Sequence, residues 1–182
     1  MNLHPNSSAL LLIDLINPFD YDRAADLLSN TRSIIAPTVA LADRARRASL
    51  PVIYVNDNFG RWRSHFVETL SQCERAVGAE VVQAFRPLDD DYFVLKPQRS
   101  GFFCTPLDLL LQSLNVRTLV LAGIATEMCV MATAHDACMR GYKNIVPKDT
   151  TASFTGKQRD EALDLLQAAR AASVCGSEDL VF

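Results

Sequence analysis

Short apolar runs alternating with helix-length amphipathic stretches constrain the fold of this chain more than any other feature. Residues 9–13 are wholly apolar, as suits a strand covered on both faces of a sheet. Residues 33–48 then carry Ile34, Ile35, Val39, Leu41, Ala42 and Ala45 at helical spacing. The alternation continues with a strand at 51–55, a weaker helix around 66–76, and Val81–Val82 as a short extra strand. Next come a strand at 92–95, a helix from Thr105 to about 114, and a strand at 118–123. A helix at 127–140 closed by Gly141, a strand at 144–147, a helix at 157–172 and a last strand at 173–175 complete the pattern. Thr105-Pro106-Leu107-Asp108 opens its helix with Thr as N-cap, Pro at the first position and an acid in the first turn. Repeated β-then-α units predict one domain over residues 1–182. Its architecture is three-layer α/β/α, with a mostly parallel, Rossmann-like sheet of about six strands and right-handed crossovers.

The formal net charge is −3, which gives no electrostatic reason to expect nucleic acid or an anionic membrane as a partner. No apolar run approaches the ~18 residues of a membrane span. The segment Met1-Asn2-Leu3-His4-Pro5-Asn6 lacks the basic stretch of a signal peptide, so a cytoplasmic location is expected. The five cysteines form no CxxC pair and are odd in number, which favours reduced thiols.

Three residues stand just past apolar strands: Asp14, Lys96 and Cys129. In a parallel sheet such positions share one edge, where ligands bind. A carboxylate, an ammonium and a thiol brought together there suit nucleophilic attack on a carbonyl. Gly123-Ile124-Ala125-Thr126 reads as the turn into the following helix, with Thr126 as N-cap and Cys129 in the first turn. Unpaired N–H groups and the helix dipole at such a place lower a thiol pKa and can receive an oxyanion. Asp14 reads as the general base towards the thiol, and Lys96 as the cation that holds it. Of the other thiols, Cys104 lies just before the Thr105 cap, where it either packs or reaches the pocket rim, Cys138 faces inward, and Cys73 and Cys175 have no partner chemistry. Phe19, Asn58, Trp62, Phe102, Phe103 and Phe154 fall in strand-end loops, where aromatics exclude water and flank a planar amide. Arg99 is a candidate for binding a carboxylate. Asp149 reads as structural or as part of the rim.

Taken together, three segments resemble the isochorismatase-like cysteine hydrolases, which include nicotinamidases, N-carbamoylsarcosine amidohydrolases and ureidoacrylate hydrolases. They are Leu11-Leu12-Ile13-Asp14-Leu15-Ile16-Asn17-Pro18-Phe19, Leu95-Lys96-Pro97-Gln98-Arg99-Ser100-Gly101-Phe102-Phe103, and Gly123-Ile124-Ala125-Thr126-Glu127-Met128-Cys129-Val130. The resemblance implies a catalytic triad of Asp14, Lys96 and Cys129. It also implies a cis peptide at Ile124–Ala125, with the amides of Ala125 and Cys129 turned towards an oxyanion. Members are commonly dimers or tetramers, and the apolar end Leu180-Val181-Phe182 is a candidate for packing on a neighbour. Nicotinamidase-type members hold a metal through an Asp-x-His pattern. Here Phe59 stands where that His would be, leaving Asp57 and His65, two ligands without a third. Isochorismatases that cleave a vinyl ether lack the cysteine. The expectation is therefore a metal-independent cysteine hydrolase without cofactor, cleaving the C–N bond of a small amide or ureido compound through a thioester. The alternatives are a catalytically idle scaffold on the same fold and a metal-dependent nicotinamidase-type amidase. A dinucleotide-binding protein is disfavoured because no glycine-rich turn follows the first strand.

Overall fold

The computed structural model describes residues 1–62 and 65–182. Arg63 and Ser64, part of the stretch compared with the Asp-x-His pattern, lie outside the described residues. The strands are β1 (Ser8–Ile13), β2 (Val52–Asp57), β3 (Tyr92–Lys96), β4 (Thr118–Ile124), β5 (Lys143–Pro147), β6 (Thr151–Ala152) and β7 (Ser173–Cys175). They form a seven-stranded sheet in the order β3-β2-β1-β4-β5-β7, with β6 beside β4. Each pairing is parallel. The chain runs outward from β1 through β2 to β3, then crosses back to place β4 on the other side of β1. The β1/β4 boundary is thus the topological switch point, where a doubly wound sheet opens a crevice at its carboxyl edge.

Among the described residues the helices are α1 (Ala24–Arg47), α2 (Phe66–Cys73), α3 (Ala79–Ala84), α4 (Leu107–Ser113), α5 (Met131–Met139) and α6 (Gly156–Ala168). Every residue of β1 is buried, and alternate side chains serve two different cores. Leu10 and Leu12 pack with Leu27, Leu28 and Leu41 of α1 and with Val81 and Val82 of α3. Leu11 and Ile13 pack with Leu107 and Leu111 of α4, Ala134 of α5 and Leu166 of α6. This two-sided burial explains why the strand reads as an unbroken apolar run. At the switch point Ile13 pairs with Gly123, whose φ is +127°. A Cβ there would collide with the Ile13 carbonyl, so only glycine lets β4 approach β1 this closely.

Several local expectations shift. Helix α1 begins at Ala24, since Ala24, Leu27, Leu28 and Thr31 extend the buried stripe ahead of Ile34. Val81 and Val82 belong to α3 and not to a strand; their amides both donate to the Gly78 carbonyl. The Thr105 hydroxyl accepts from the Leu107 amide at 3.2 Å, but Pro106 occupies the N-cap and α4 starts one residue later. Gly141 (φ +85°) ends its helix as expected, its amide donating to the Cys138 carbonyl at 3.0 Å. The apolar end packs on its own chain: Leu180 is buried in the α1-side core, and Arg44 lies 5.2 Å from the centroid of the Phe182 ring. Among the described residues no helix is long and apolar enough to cross a membrane.

Candidate active site

Asp14 follows β1 directly, in the left-handed region (φ 52°), with its amide donating to the Val55 carbonyl at 3.0 Å. Its Oδ1 accepts the Asp57 amide at 2.7 Å. Lys96 closes β3 and pairs in register with Asp57 at the end of β2. Its side chain is wholly buried and reaches across β2 to the end of β1, where Nζ lies 2.8 Å from Asp14 Oδ2. The same ammonium donates to Cys129 Sγ at 3.4 Å and stands 3.6 Å from Asp57 Oδ2. Cys129 arrives from β4 through a non-proline cis peptide, Ile124–Ala125, and a π-helical turn, Thr126–Val130. Three side chains from separate strand ends therefore converge beside the switch point.

The helix entry differs from the expected one. Ala125 is the N-cap, and its carbonyl accepts from Met128 at 3.0 Å and Val130 at 3.3 Å. The Thr126 hydroxyl donates to the Ala152 carbonyl at 3.1 Å, tying the turn to β6 instead of capping it.

The electrostatics also correct the expectation for the thiol. Burial pushes the Cys129 thiol well above its ordinary value of 9.0. The neighbouring Asp14 pushes the same way, and Lys96 opposes both without overcoming them. Burial raises Asp14 as well, against the lowering effects of the Lys96 ammonium and the Cys129 hydrogen bond. For Lys96, burial lowers the pKa, but Asp14, Cys129 and Asp57 together outweigh it and leave the group raised and charged. Burial thus keeps the proton on the Cys129 sulfur, and the buried Lys96 ammonium contacts both Asp14 and Cys129.

A cavity of ≈ 310 Å³ opens over this cluster. Asp14, Asp57 and Cys129 line it, together with Asn17 and Tyr21 from the β1–α1 loop, Phe59, Met128 and Phe154. Phe154 stands where it was expected. The other residues expected in the pocket are elsewhere. Phe19 is buried in the α1-side core with its ring against Gly78. Asn58 is buried in its own turn, Oδ1 accepting the Gly60 amide at 2.9 Å. Trp62 is 80% exposed. The loop after Lys96 does not line the cavity, and the Gly101 amide donates to Thr133 Oγ1 at 3.0 Å, holding that loop against α5. Phe102 is consequently buried in the other core beside Tyr142, while Arg99 and Phe103 are exposed. Tyr21 and Met128 were legible in principle, since each lies within seven residues of a triad member in the same strand-end loop.

Cys104 and Cys138 are both exposed, so Cys138 is not the core residue its mid-helix place suggested. Asp149 is structural: its carboxylate accepts from the Ser177 amide at 2.7 Å and the Ser177 hydroxyl. Asp57 and His65, the two ligand residues expected to remain from a metal site, make other contacts. His65 is exposed at the start of α2, where Nδ1 accepts the Glu68 amide at 3.1 Å. Asp57 faces Lys96 and accepts the Phe59 amide at 2.6 Å, and the Phe59 ring borders the cavity. Among the described residues no three His, Cys, Asp or Glu side chains cluster as a metal site.

The family model described as the isochorismatase domain matches residues 8–179. The uncharacterised isochorismatase family protein YaaI of Bacillus subtilis is 34% identical over 173 residues, covering 95% of this chain and 96% of that protein. A probable inactive nicotinamidase of Arabidopsis thaliana is 33% identical, covering 82% of each chain. The crystal structure of N-carbamoylsarcosine amidase from Thermoplasma acidophilum superposes with a TM-score of 0.74 at 29% identity, covering 95% of this chain and 98% of that one. The chain belongs to the isochorismatase family.

Proposed function

We propose that the protein is a cysteine hydrolase of small amide or ureido compounds, working through a thioester without a metal, within one domain spanning residues 1–182. The observation that carries this reading is the wholly buried Lys96 ammonium, 2.8 Å from Asp14 and 3.4 Å from the Cys129 sulfur, beneath an open cavity. Cys129 Sγ attacks the substrate carbonyl carbon while Asp14 takes the thiol proton. Burial raises the Asp14 carboxyl, which makes it a stronger base than an exposed aspartate. Lys96 stays charged throughout and keeps carboxylate and sulfur in place. The amides of Ala125 and Cys129 receive the tetrahedral oxyanion. Asp14 then returns its proton to the leaving nitrogen, the C–N bond breaks, and a thioester remains. Asp14 next accepts a proton from water as it attacks the thioester carbonyl; the C–S bond breaks to free the acid, and Asp14 passes that proton to the departing Cys129 sulfur, restoring the thiol.

Metal independence rests on the donor set: Asp57 faces Lys96, His65 caps α2, and Phe59 borders the cavity. The competing reading is a catalytically idle protein on the same fold, favoured by the name of the Arabidopsis relative. The contacts of the buried Lys96 ammonium with both Asp14 and Cys129 weigh against it. A panel of primary amides and ureido compounds assayed for ammonia, with intact-mass detection of an acyl adduct, separates the two. An accepted substrate is expected to lose at least about 10³-fold in kcat/KM in Cys129→Ala. Equal activity in that variant ends the nucleophile assignment, and neither ammonia nor adduct across the panel supports the idle reading. We further infer a cytoplasmic enzyme, where five unpaired thiols persist. It acts as a dimer or tetramer, a reading supported by exposed Trp62, Phe93 and Leu109 and tested by light scattering.

A further inference from the structure

Asp14, Lys96 and Cys129 account for the chemistry at the cavity floor, yet a second carboxylate lines the same cavity without a part in it. Asp57 ends β2. Its Oδ1 accepts the Phe59 amide at 2.6 Å, and its Oδ2 is 3.6 Å from Lys96 Nζ, beyond hydrogen-bond reach. About a third of the side chain (35%) is exposed, so acceptor capacity remains open towards the cavity. Two acidic side chains, Asp14 at 2.8 Å and Asp57 at 3.6 Å, face the single Lys96 ammonium. Among the described residues no Lys, Arg or His lines the cavity. Arg23, whose guanidinium lies 5.1 Å from the centroid of the Phe154 ring, is paired with Asp26 at 3.4 Å. Apart from Asp14, Asp57 and Cys129, the described lining consists of Asn17, Tyr21 and apolar residues.

We propose that Asp57 sets the charge of the substrate: the cavity takes amides whose non-reacting part carries an ammonium or another N–H donor, and turns away those carrying a carboxylate. The word substrate rests on the hydrolase reading above; the charge preference itself rests only on the cavity. An ammonium entering here gains a charge-assisted hydrogen bond to Asp57 in a partly water-excluded space. A carboxylate entering meets like charge and leaves its own acceptors unpaired. Asp57 also faces Lys96, so a loss of activity in a variant would not separate selection from positioning, whereas a ratio between probes of opposite charge does.

The test labels Cys129 with a methanethiosulfonate reagent carrying a trimethylammonium group and with one carrying a sulfonate. Peptide mass spectrometry follows Cys129 among the five cysteines, and each rate is divided by that on a small free thiol. The cationic reagent is expected to be favoured by about tenfold or more. Asp57→Asn brings the ratio close to one, and Asp57→Glu keeps much of it. A wild-type ratio at or below one, or a ratio unchanged in Asp57→Asn, overturns the proposal. Thermal shift with benzylammonium and benzoate gives a second reading: stabilisation by the cation alone supports the proposal, and equal or stronger stabilisation by benzoate overturns it. A charge preference without amide hydrolysis refutes only the hydrolase reading, while hydrolysis indifferent to substrate charge refutes only this one.

Discussion

At the scale of single residues, the site depends on an ammonium that has left water entirely. Lys96 is 0% exposed and is tolerated because Asp14, itself buried, lies 2.8 Å away. Removing one member of such a pair strands the other. Lys96→Met is therefore expected to cost about 3–5 kcal/mol in urea unfolding at pH 8. The loss shrinks at pH 5, where Asp14 without its partner takes up a proton, and adding Asp14→Asn recovers part of it. Activity in the single variant falls on the order of 10²–10⁴-fold. A stability loss independent of pH would mean that Lys96 contributes packing alone. The thiol beside it teaches a related lesson. A cysteine just past a strand end suggests a lowered pKa from its helix start. In the folded protein, burial and an adjacent carboxylate reverse the sign, and the base must remove the proton as attack begins.

At the scale of elements, the active edge depends on how closely β1 and β4 approach. Ile13 and Gly123 are register partners, the next residue of β1 is Asp14, and the cis peptide follows Gly123 by one residue. Gly123→Ala forces a Cβ into the Ile13 carbonyl at a positive φ, so something in the backbone must shift. The expected outcome is a loss of about 3 kcal/mol or more, or failure to accumulate as folded protein. Gly141→Ala is the control: its φ is also positive (+85°), but nothing lies within 4 Å of the added methyl, so a cost of about 1 kcal/mol is expected. Equal costs in urea titrations would show that strain, and not strand contact, governs both positions. The two helices that depart most from expectation depart for tertiary reasons. Helix α1 extends to Ala24 because its first turns bury against the sheet. Val81 and Val82 are helical although β-branched, since both are fully buried against the α1 layer.

At the scale of the whole molecule, the buried acids make alkaline stability a readout of the core. Cys73 is 1% exposed, and burial, its main perturbation, holds its thiol up at about 12 against an ordinary 9.0. The unfolded chain thus loses this proton above pH 9 while the folded chain keeps it. The stability contributed is fully present below pH 9.0 and is lost as pH rises towards about 12. The slope is about 1.4 kcal/mol per pH unit for the one group. Cys73→Ala is expected to cost about 1 kcal/mol at pH 8 and to be no less stable than wild type by pH 10. Parallel stability profiles for the two proteins across that range would refute the assignment.

Composition and periodicity by themselves determined the doubly wound class, because a strand buried on both faces must be apolar throughout and a helix on such a sheet must carry one apolar stripe. They also marked Asp14, Lys96 and Cys129, since chemistry-bearing side chains directly after such strands can reach only the carboxyl edge. The tertiary structure alone decided which side chains wall the cavity. Phe19 and Phe102 read as pocket aromatics but lie in opposite cores, and Tyr21 and Met128 take that place. The direction in which a loop leaves a strand is fixed by distant contacts, such as the Gly101 amide on Thr133, which no local pattern encodes. The protonation of the thiol was likewise a tertiary outcome, because desolvation and the position of Asp14 are properties of the packed molecule and outweigh the local dipole.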